Sequence, residues 1–413
     1  TDEAAAHFHA VGWDDAACLL RVRRQPTVGL VSCGDVYALS MGPLLPSTGA
    51  LRGFRLGVEG DHLFVELGPR DPRASGAGAV SPLPRDDDMI AEHHRWLGAM
   101  KLRSVGAFDE LCVDGRVSQL IRVAEGFHEK RIGRIADLVA AERARIRIIS
   151  IAGPSSSGKT TFIRRLTVQL QIDGVNPVGI SLDDYYVDRE RTPRDANGEL
   201  DFEAIEAIDL ELLQDHVRRL LAGEVVHPPR FDFLTGKSLA EGGAPIHLRP
   251  GDVLMLEGIH GLNPRLLGRI PRKGELFRIF VNPVTTLAFD RLNRVSATDL
   301  RLIRRIVRDR HRRGYSAADN IRRWPSVQAG ERAHIYPFEA EADAVFDSAL
   351  VYEPAVLKVY AERYLLEVPV DDPAYPTAHR LRDLIDRFVS IYPDHVPPTS
   401  ILREFIGGSG FEY

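Results

Sequence analysis

Cysteine is scarce in this chain: three residues in 413, Cys18, Cys33 and Cys112, with no CxxC pair among them. That excludes a cysteine-based zinc or redox centre and argues against a disulfide framework. Buried free thiols in a reducing compartment are the expectation. Also missing is any apolar run near the ~18 residues needed to cross a bilayer. The opening TDEAAAHFHA has neither the basic start nor the apolar stretch of a secretory leader. The cytoplasm is thus the expected compartment, with no membrane partner. Nor is there a basic excess. Lys and Arg total 53 against 58 Asp and Glu, for a formal net charge of -5. A chain that grips nucleic acid through its phosphates normally carries surplus cation, so nucleic acid is not an expected partner. No internal repeat or low-complexity tract occurs.

What is present is an ordinary globular composition, 44% hydrophobic and 27% charged. Its length exceeds what a single core usually serves, so two domains are expected. Residues 1–145 are read as a smaller α+β domain. Within it, 53–67 alternate as two strands around Glu59-Gly60-Asp61, a hairpin by turn chemistry. The Pro-, Gly- and charge-rich stretch near 68–88 reads as a loop or linker. Helices are expected over 89–102 and over 116–145, the second placing Val117, Leu120, Ala124, Phe127, Ile135 and Leu138 near one face. From 146 to 413 strands alternate with helices, the signature of an α/β domain with a parallel sheet covered on both faces. Its strands are RIRIISIAG, NPVGISLDD, DVLMLEG and LFRIFVN. The tail PTSILREFIGGSGFEY either docks or frays.

Between the first of these strands and its helix lies IAGPSSSGKTTF. Gly153, Pro154, Ser155, Ser156, Ser157, Gly158, Lys159 and Thr160 satisfy G-x-x-x-x-G-K-[ST] at every specified position, in the strand–loop–helix setting that the motif requires. Small residues let successive N–H groups curl around an anion, and the helix N-terminus adds partial positive charge. Lys159 can reach the β- and γ-phosphates of a nucleotide while the Thr160 hydroxyl ligates Mg2+, with Thr161 next in line at the helix start. ATP and Mg2+ are the expected cofactors.

The second strand runs into Asp183-Asp184-Tyr185-Tyr186 at the carboxyl edge of the sheet, where open α/β folds bind ligands. Asp183, preferred over Asp184, is the candidate to take the proton of an attacking hydroxyl. DVLMLEG closes in Glu257, the way a Walker B strand presents a carboxylate to the metal. Farther on, Arg301, Arg304, Arg305 and Arg308 recur at i, i+3, i+4 and i+7, so one helical face carries four guanidinium groups. Beside a phosphate loop this suggests a lid that neutralises transition-state charge. His93, His94, His128 and His260 form no metal-ligand spacing and are read as packing or surface residues.

Together these segments resemble the uridine kinase and phosphoribulokinase family of P-loop kinases, and more closely its long bacterial uridine kinase-like nucleoside kinases, which carry an extra N-terminal domain. IAGPSSSGKTTF, ISLDDYYVDRE, GELDFEAIEAIDLELL, PPRFDFLTGK, VLMLEGIHGLNPRL, TDLRLIRRIVRD and SILREFIGG carry the likeness. The resemblance implies a base and metal-shell role for Asp183, a pocket role for Tyr186, nucleoside contacts at Phe202, Glu203 and Phe231, lid roles for Arg301 and Arg304, and Glu257 as metal ligand. Arg305 joins the loop residues as a nucleotide contact. One departure stands out: Gly236 occupies the place of a histidine that helps the short enzymes read a pyrimidine. The preferred reading is an ATP-dependent kinase acting on the 5′-hydroxyl of a small-molecule nucleoside, uridine-like. A sugar or sugar-phosphate kinase, or an ATP-switched regulatory or RNA-binding protein, are the rivals, and self-association is left open.

Overall fold

The computed structural model describes residues 1–23, 25–42, 47, 49, 54–59, 62–67, 87–194, 198, 200–232 and 235–412. By compactness the chain forms two units, one of residues 1–28 with 86–413 and the other of residues 29–85. The larger unit opens with α1 (Asp2–Ala10) and α2 (Asp14–Arg21). The smaller holds two antiparallel pairs, β1 (Leu30–Cys33) with β2 (Val36–Leu39) and β3 (Phe54–Glu59) with β4 (His62–Leu67). The second pair is the expected hairpin. Its turn at Gly60-Asp61 and nearly all of the expected 68–88 linker lie outside the described residues.

The larger unit resumes with α3 (Asp87–Ala99), α4 (Val105–Val113) and α5 (Val117–Ala141). Of these α4 has no counterpart in the sequence reading; it starts where the Ser104 hydroxyl accepts from the Ala107 amide. Next come β5 (Ile148–Ala152), α6 (Lys159–Ile172), β6 (Asn176–Ser181) and α7 (Leu210–Leu221). Four short strands follow, β7 (Val225–Val226), β8 (Arg230–Asp232), β9 (Lys237–Leu239) and β10 (Ile246–His247), paired as β7 with β10 and β8 with β9. After them run β11 (Asp252–Glu257), β12 (Leu276–Asn282), α8 (Ala297–Arg312), α9 (Ala317–His334) and β13 (Ala344–Asp347). The chain ends in α10 (Glu353–Leu366), α11 (Tyr375–Asp386) and α12 (Arg403–Ile406).

Five strands make the central sheet, in the order β13-β12-β5-β11-β6 and all parallel. The expectation of a parallel α/β sheet thus holds. Every residue of β5 is buried, as a strand covered on both faces must be. Side chains alternate along it. Ile148 joins Ile180, Leu254 and Leu256 beneath Leu213, Val217 and Leu220 of α7, whereas Phe162 of α6 packs its ring 4.6 Å from that of Phe346 in β13. α7 starts where the Asp209 carboxylate accepts from the Leu212 amide. α9 starts on a reciprocal pair between Ser316 and Asp319. Among the described residues no helix is long and apolar enough to cross a membrane.

The helix preceding β5 is part of this core. Arg165 of α6, nearly buried, donates to Glu125 at 3.2 Å and to Glu129 at 2.7 Å, both on α5. Leu120, Ile121, Ile132, Ile135 and Val139 of α5 are buried, each worth about 1.5–3 kcal/mol of transfer free energy. Their loss rivals the ~5–15 kcal/mol that holds a typical domain folded. A chain cut to residues 146–413 is therefore expected to lose its cooperative thermal transition or to aggregate, as scanning calorimetry beside the full chain will show. A shortened chain melting where the full one does would refute this.

Candidate active site

The strand–loop–helix junction turns on a left-handed pair, Ser156 at φ 59 and Gly158 at φ 87. Gly158 has a second reason to be glycine: a Cβ there would come within 2.5 Å of the Ile401 methyl. The curl is that of an anion cradle. Two hydroxyls in it, those of Ser156 and Ser157, are buried and bonded to no group among the described residues. A phosphate-sized acceptor in the cradle would satisfy them. Lys159 folds back, its Nζ donating to the carbonyls of Gly153 at 2.8 Å and Pro154 at 3.2 Å. Burial holds its ammonium below the usual range, opposed by the charges of Glu257, Asp183 and Glu404.

The Thr160 hydroxyl donates to Glu257 at 3.3 Å. Burial lifts the Glu257 carboxyl to about 7, against the pull of Lys159. Asp183 sits just past β6, where Ser181 Oγ accepts from its amide. The residue is exposed, yet its carboxyl has much protein around it. That desolvation raises it above the ordinary carboxylate range, Lys159 opposes, and Asp184 adds to the rise; exposure to the cleft moderates the push. Asp184 instead accepts from the Phe231 backbone, which ties it to β8 and leaves Asp183 as the cleft acid. Hard oxygen donors from Thr160, Glu257 and Asp183 suit Mg2+, which takes one or two carboxylates and completes its shell with phosphate and water. Among the described residues no group of three or more His, Cys, Asp or Glu side chains could hold a metal unaided.

On the acceptor side, Tyr186 and Phe231 place ring centroids 5.5 Å apart at 53°, and the Tyr186 hydroxyl donates to the Phe202 carbonyl at 3.2 Å. Phe202 itself is 38% exposed. Burial, reinforced by Glu331, lifts Glu203 to about 7, while Arg305 and Lys159 pull it down and Asp183 adds to the rise. Four groups from four separate elements, Lys159, Asp183, Glu203 and Glu257, are thus close enough to bias one another. Gly236 has φ 72, and a Cβ there would lie 2.5 Å from Arg189 Nε; no side chain fits.

The arginine face of α8 is real and turned toward the loop, but its members differ. Arg301 is buried, donating to the Ser155 carbonyl at 3.2 Å and in fork fashion to Glu331 at 2.5 and 2.7 Å. Arg304 is buried too, donating to the Ser156 carbonyl at 3.3 Å, to the Ser348 carbonyl at 2.8 Å and to Glu353 at 2.6 Å. Guanidinium groups committed to the loop carbonyls and buried acids are struts here, a placement that the lid expectation for these two did not contain. Arg305 donates to Ser155 Oγ at 2.9 Å. The cations whose charge reaches Asp183, besides Lys159, are Arg313 and Arg308. Sequence reasoning missed Arg313 and Glu331; the density of arginine through 301–313 was the available signal for the first, and nothing local marks the second. His128 is buried with Nε2 against the Ala349 carbonyl at 3.0 Å.

A model described as the phosphoribulokinase/uridine kinase family matches residues 148–352. A protein named uridine kinase from Deinococcus deserti is 28% identical over 210 residues, 51% of this chain and 91% of that one. Another from Lactobacillus johnsonii is 30% identical over 199 residues, 48% of this chain and 84% of its own. A solved structure described as a possible uridine kinase from Bacillus stearothermophilus aligns with 53% of this chain and 98% of its own at a TM-score of 0.35 and 21% identity.

The raised acids set a sign for pH dependence. Glu203 binds its proton more tightly folded than unfolded, so ionising it opposes folding. Its contribution is most favourable below the ordinary carboxylate range and is lost as pH climbs from about 5 to about 8. Glu257 behaves alike. Glu203→Gln is therefore expected to flatten part of the fall in stability across that window, read from urea midpoints at stepped pH; an unchanged slope would show that the carboxyl is not desolvated.

Proposed function

The chain belongs to the phosphoribulokinase/uridine kinase family and is a kinase, and from that premise we propose that it moves the terminal phosphoryl group of ATP to the 5′-hydroxyl of a uridine-like nucleoside. The observation that carries this reading is the convergence of Lys159, Asp183, Glu203 and Glu257 on one cleft beside the loop. Gly153, Ser155, Ser156, Ser157, Gly158 and Thr160 would hold the phosphates through the loop, Thr161 is assigned a supporting place because Glu404 holds both its amide and its hydroxyl, and Lys159 would exchange its two carbonyl partners for phosphate oxygens. Thr160, Glu257 and Asp183 are the proposed Mg2+ ligands, and the ion when bound would offset phosphate charge.

Asp183, once ionised, accepts the proton of the acceptor hydroxyl. Arg305, Arg308 and Arg313 counter the charge that develops on the transferring group. Arg301 and Arg304 are assigned the holding of the loop instead. Tyr186, Phe231 and the exposed edge of Phe202 form the acceptor wall, and Glu203 accepts from sugar hydroxyls. At Gly236 the Arg189 guanidinium fills the space that a base-reading side chain would need, so discrimination between bases is expected to be looser than with a dedicated imidazole. We keep a functional boundary at 145/146, with residues 1–145 accessory to the kinase even though α5 buttresses α6.

The test is ADP release over a panel of nucleosides, sugars and sugar phosphates. Nucleosides are expected to stimulate it most, with uridine and cytidine nearly alike. Lys159→Ala and Asp183→Asn are each expected to cut turnover at least ~10²-fold, the usual worth of a positioned proton acceptor or more. Stimulation by a sugar phosphate alone would shift the acceptor class, and none from any member would sink the reading.

A further inference from the structure

We propose that Glu404, outside the family match, is a positioning residue of the nucleotide site, through which the C-terminal segment sets the geometry of the loop. This rests on the kinase reading above. Residues 400–406 are a packed strap: Ile401, Leu402, Phe405 and Ile406 are buried, and Glu404 is only 6% exposed. The strap meets the phosphate loop and its helix at three points. Glu404 Oε2 accepts from both the Thr161 amide at 3.0 Å and the Thr161 hydroxyl at 3.1 Å. The Ile401 methyl fills the space beside Gly158. Phe405 lies 5.1 Å from the guanidinium of Arg304, which itself donates to the Ser156 carbonyl.

The chemistry explains why an acid sits there. Thr161 is the third residue of α6, and N–H groups in a helix's first turn have no partner within the helix. A carboxylate on that amide caps the helix and suits its positive end. It leaves the amides ahead of Thr161 as the ones facing a phosphate. It also adds a negative charge near Lys159 and so favours the ammonium form that a phosphate needs. Nothing in the loop motif itself supplies this partner; it arrives from more than 240 positions away.

In the full chain, Glu404→Ala is expected to raise the KM for ATP on the order of tenfold, the worth of one helix-cap interaction, with the acceptor KM unchanged. Glu404→Asp, one methylene short, is expected to do the same. Glu404→Gln, whose amide oxygen still accepts from the Thr161 N–H, is expected to recover most of the loss. Leu381→Ala, in the buried face of α11 and outside the strap, serves as the structural control, lowering thermal stability without moving the KM for ATP. Should Glu404→Ala fail to fold, the Asp and Gln variants decide. Wild-type ATP affinity by equilibrium dialysis in the Asp variant, tighter binding in any of them, or equal shifts in both KM values would overturn the proposal. A wild-type chain that neither binds ATP nor releases ADP would instead overturn the kinase reading, and this inference with it.

Discussion

A guanidinium taken wholly out of water has to find its acceptors inside the chain, and Arg304 finds them in the Ser156 carbonyl, in Ser348 and in Glu353. Removing either partner of such a pair strands a charge in the core, typically at a cost of about 3–5 kcal/mol. The arrangement therefore has few alternatives, and the loop inherits its rigidity. Arg301 repeats the device one turn earlier through Glu331 and the Ser155 carbonyl. Two buried ion pairs thus fix the Ser155 and Ser156 carbonyls on one side of the curl, with the Ser155 amide also held by Glu331 at 3.2 Å, while the Ser156 and Ser157 hydroxyls have no partner among the described residues. That asymmetry makes a flexible Gly/Ser sequence into a preformed cradle.

The cleft has the opposite problem, too many acids near one lysine. Asp183, Glu203 and Glu257 each raise or are raised by another of the set, and Lys159 alone cannot balance them. Protons on Glu203 and Glu257, both lifted to about 7, relieve part of that repulsion. A divalent cation held by Thr160, Glu257 and Asp183 would relieve it differently, by supplying positive charge. The raised acids and the proposed metal are then two answers to one electrostatic imbalance.

Much of this was legible in the sequence where the signal is local. The loop, Glu257 at the end of its strand, and the periodic arginines of α8 all lie within a few residues of their own context, whereas β6 stops at Ser181, two residues short of Asp183, which sits in the turn that follows. What periodicity could not convey is direction: Arg301, Arg304 and Arg305 share a face, yet only contacts from α9 and the segment after β13 reveal that two of them are buried struts. Glu331 and Glu404 were illegible for the same reason. A carboxylate acting on a loop amide from far along the chain leaves no spacing to find, and α12, with four residues, is too short to show a period.

The two flanks beyond the family match converge on α6, from different sides. α5 grips it through Arg165 and its two glutamates, and the C-terminal strap caps it at Thr161. The flanks also meet each other: Asp109 of α4 accepts from the Val389 amide at 2.8 Å, and Phe108 packs its ring 5.9 Å from that of Phe388. A helix held on two sides in this way cannot shift without straining the contacts of Arg165 and Thr161. The position of α6 and of the loop that precedes it is thus set by the larger compact unit as a whole, and not by the sheet alone.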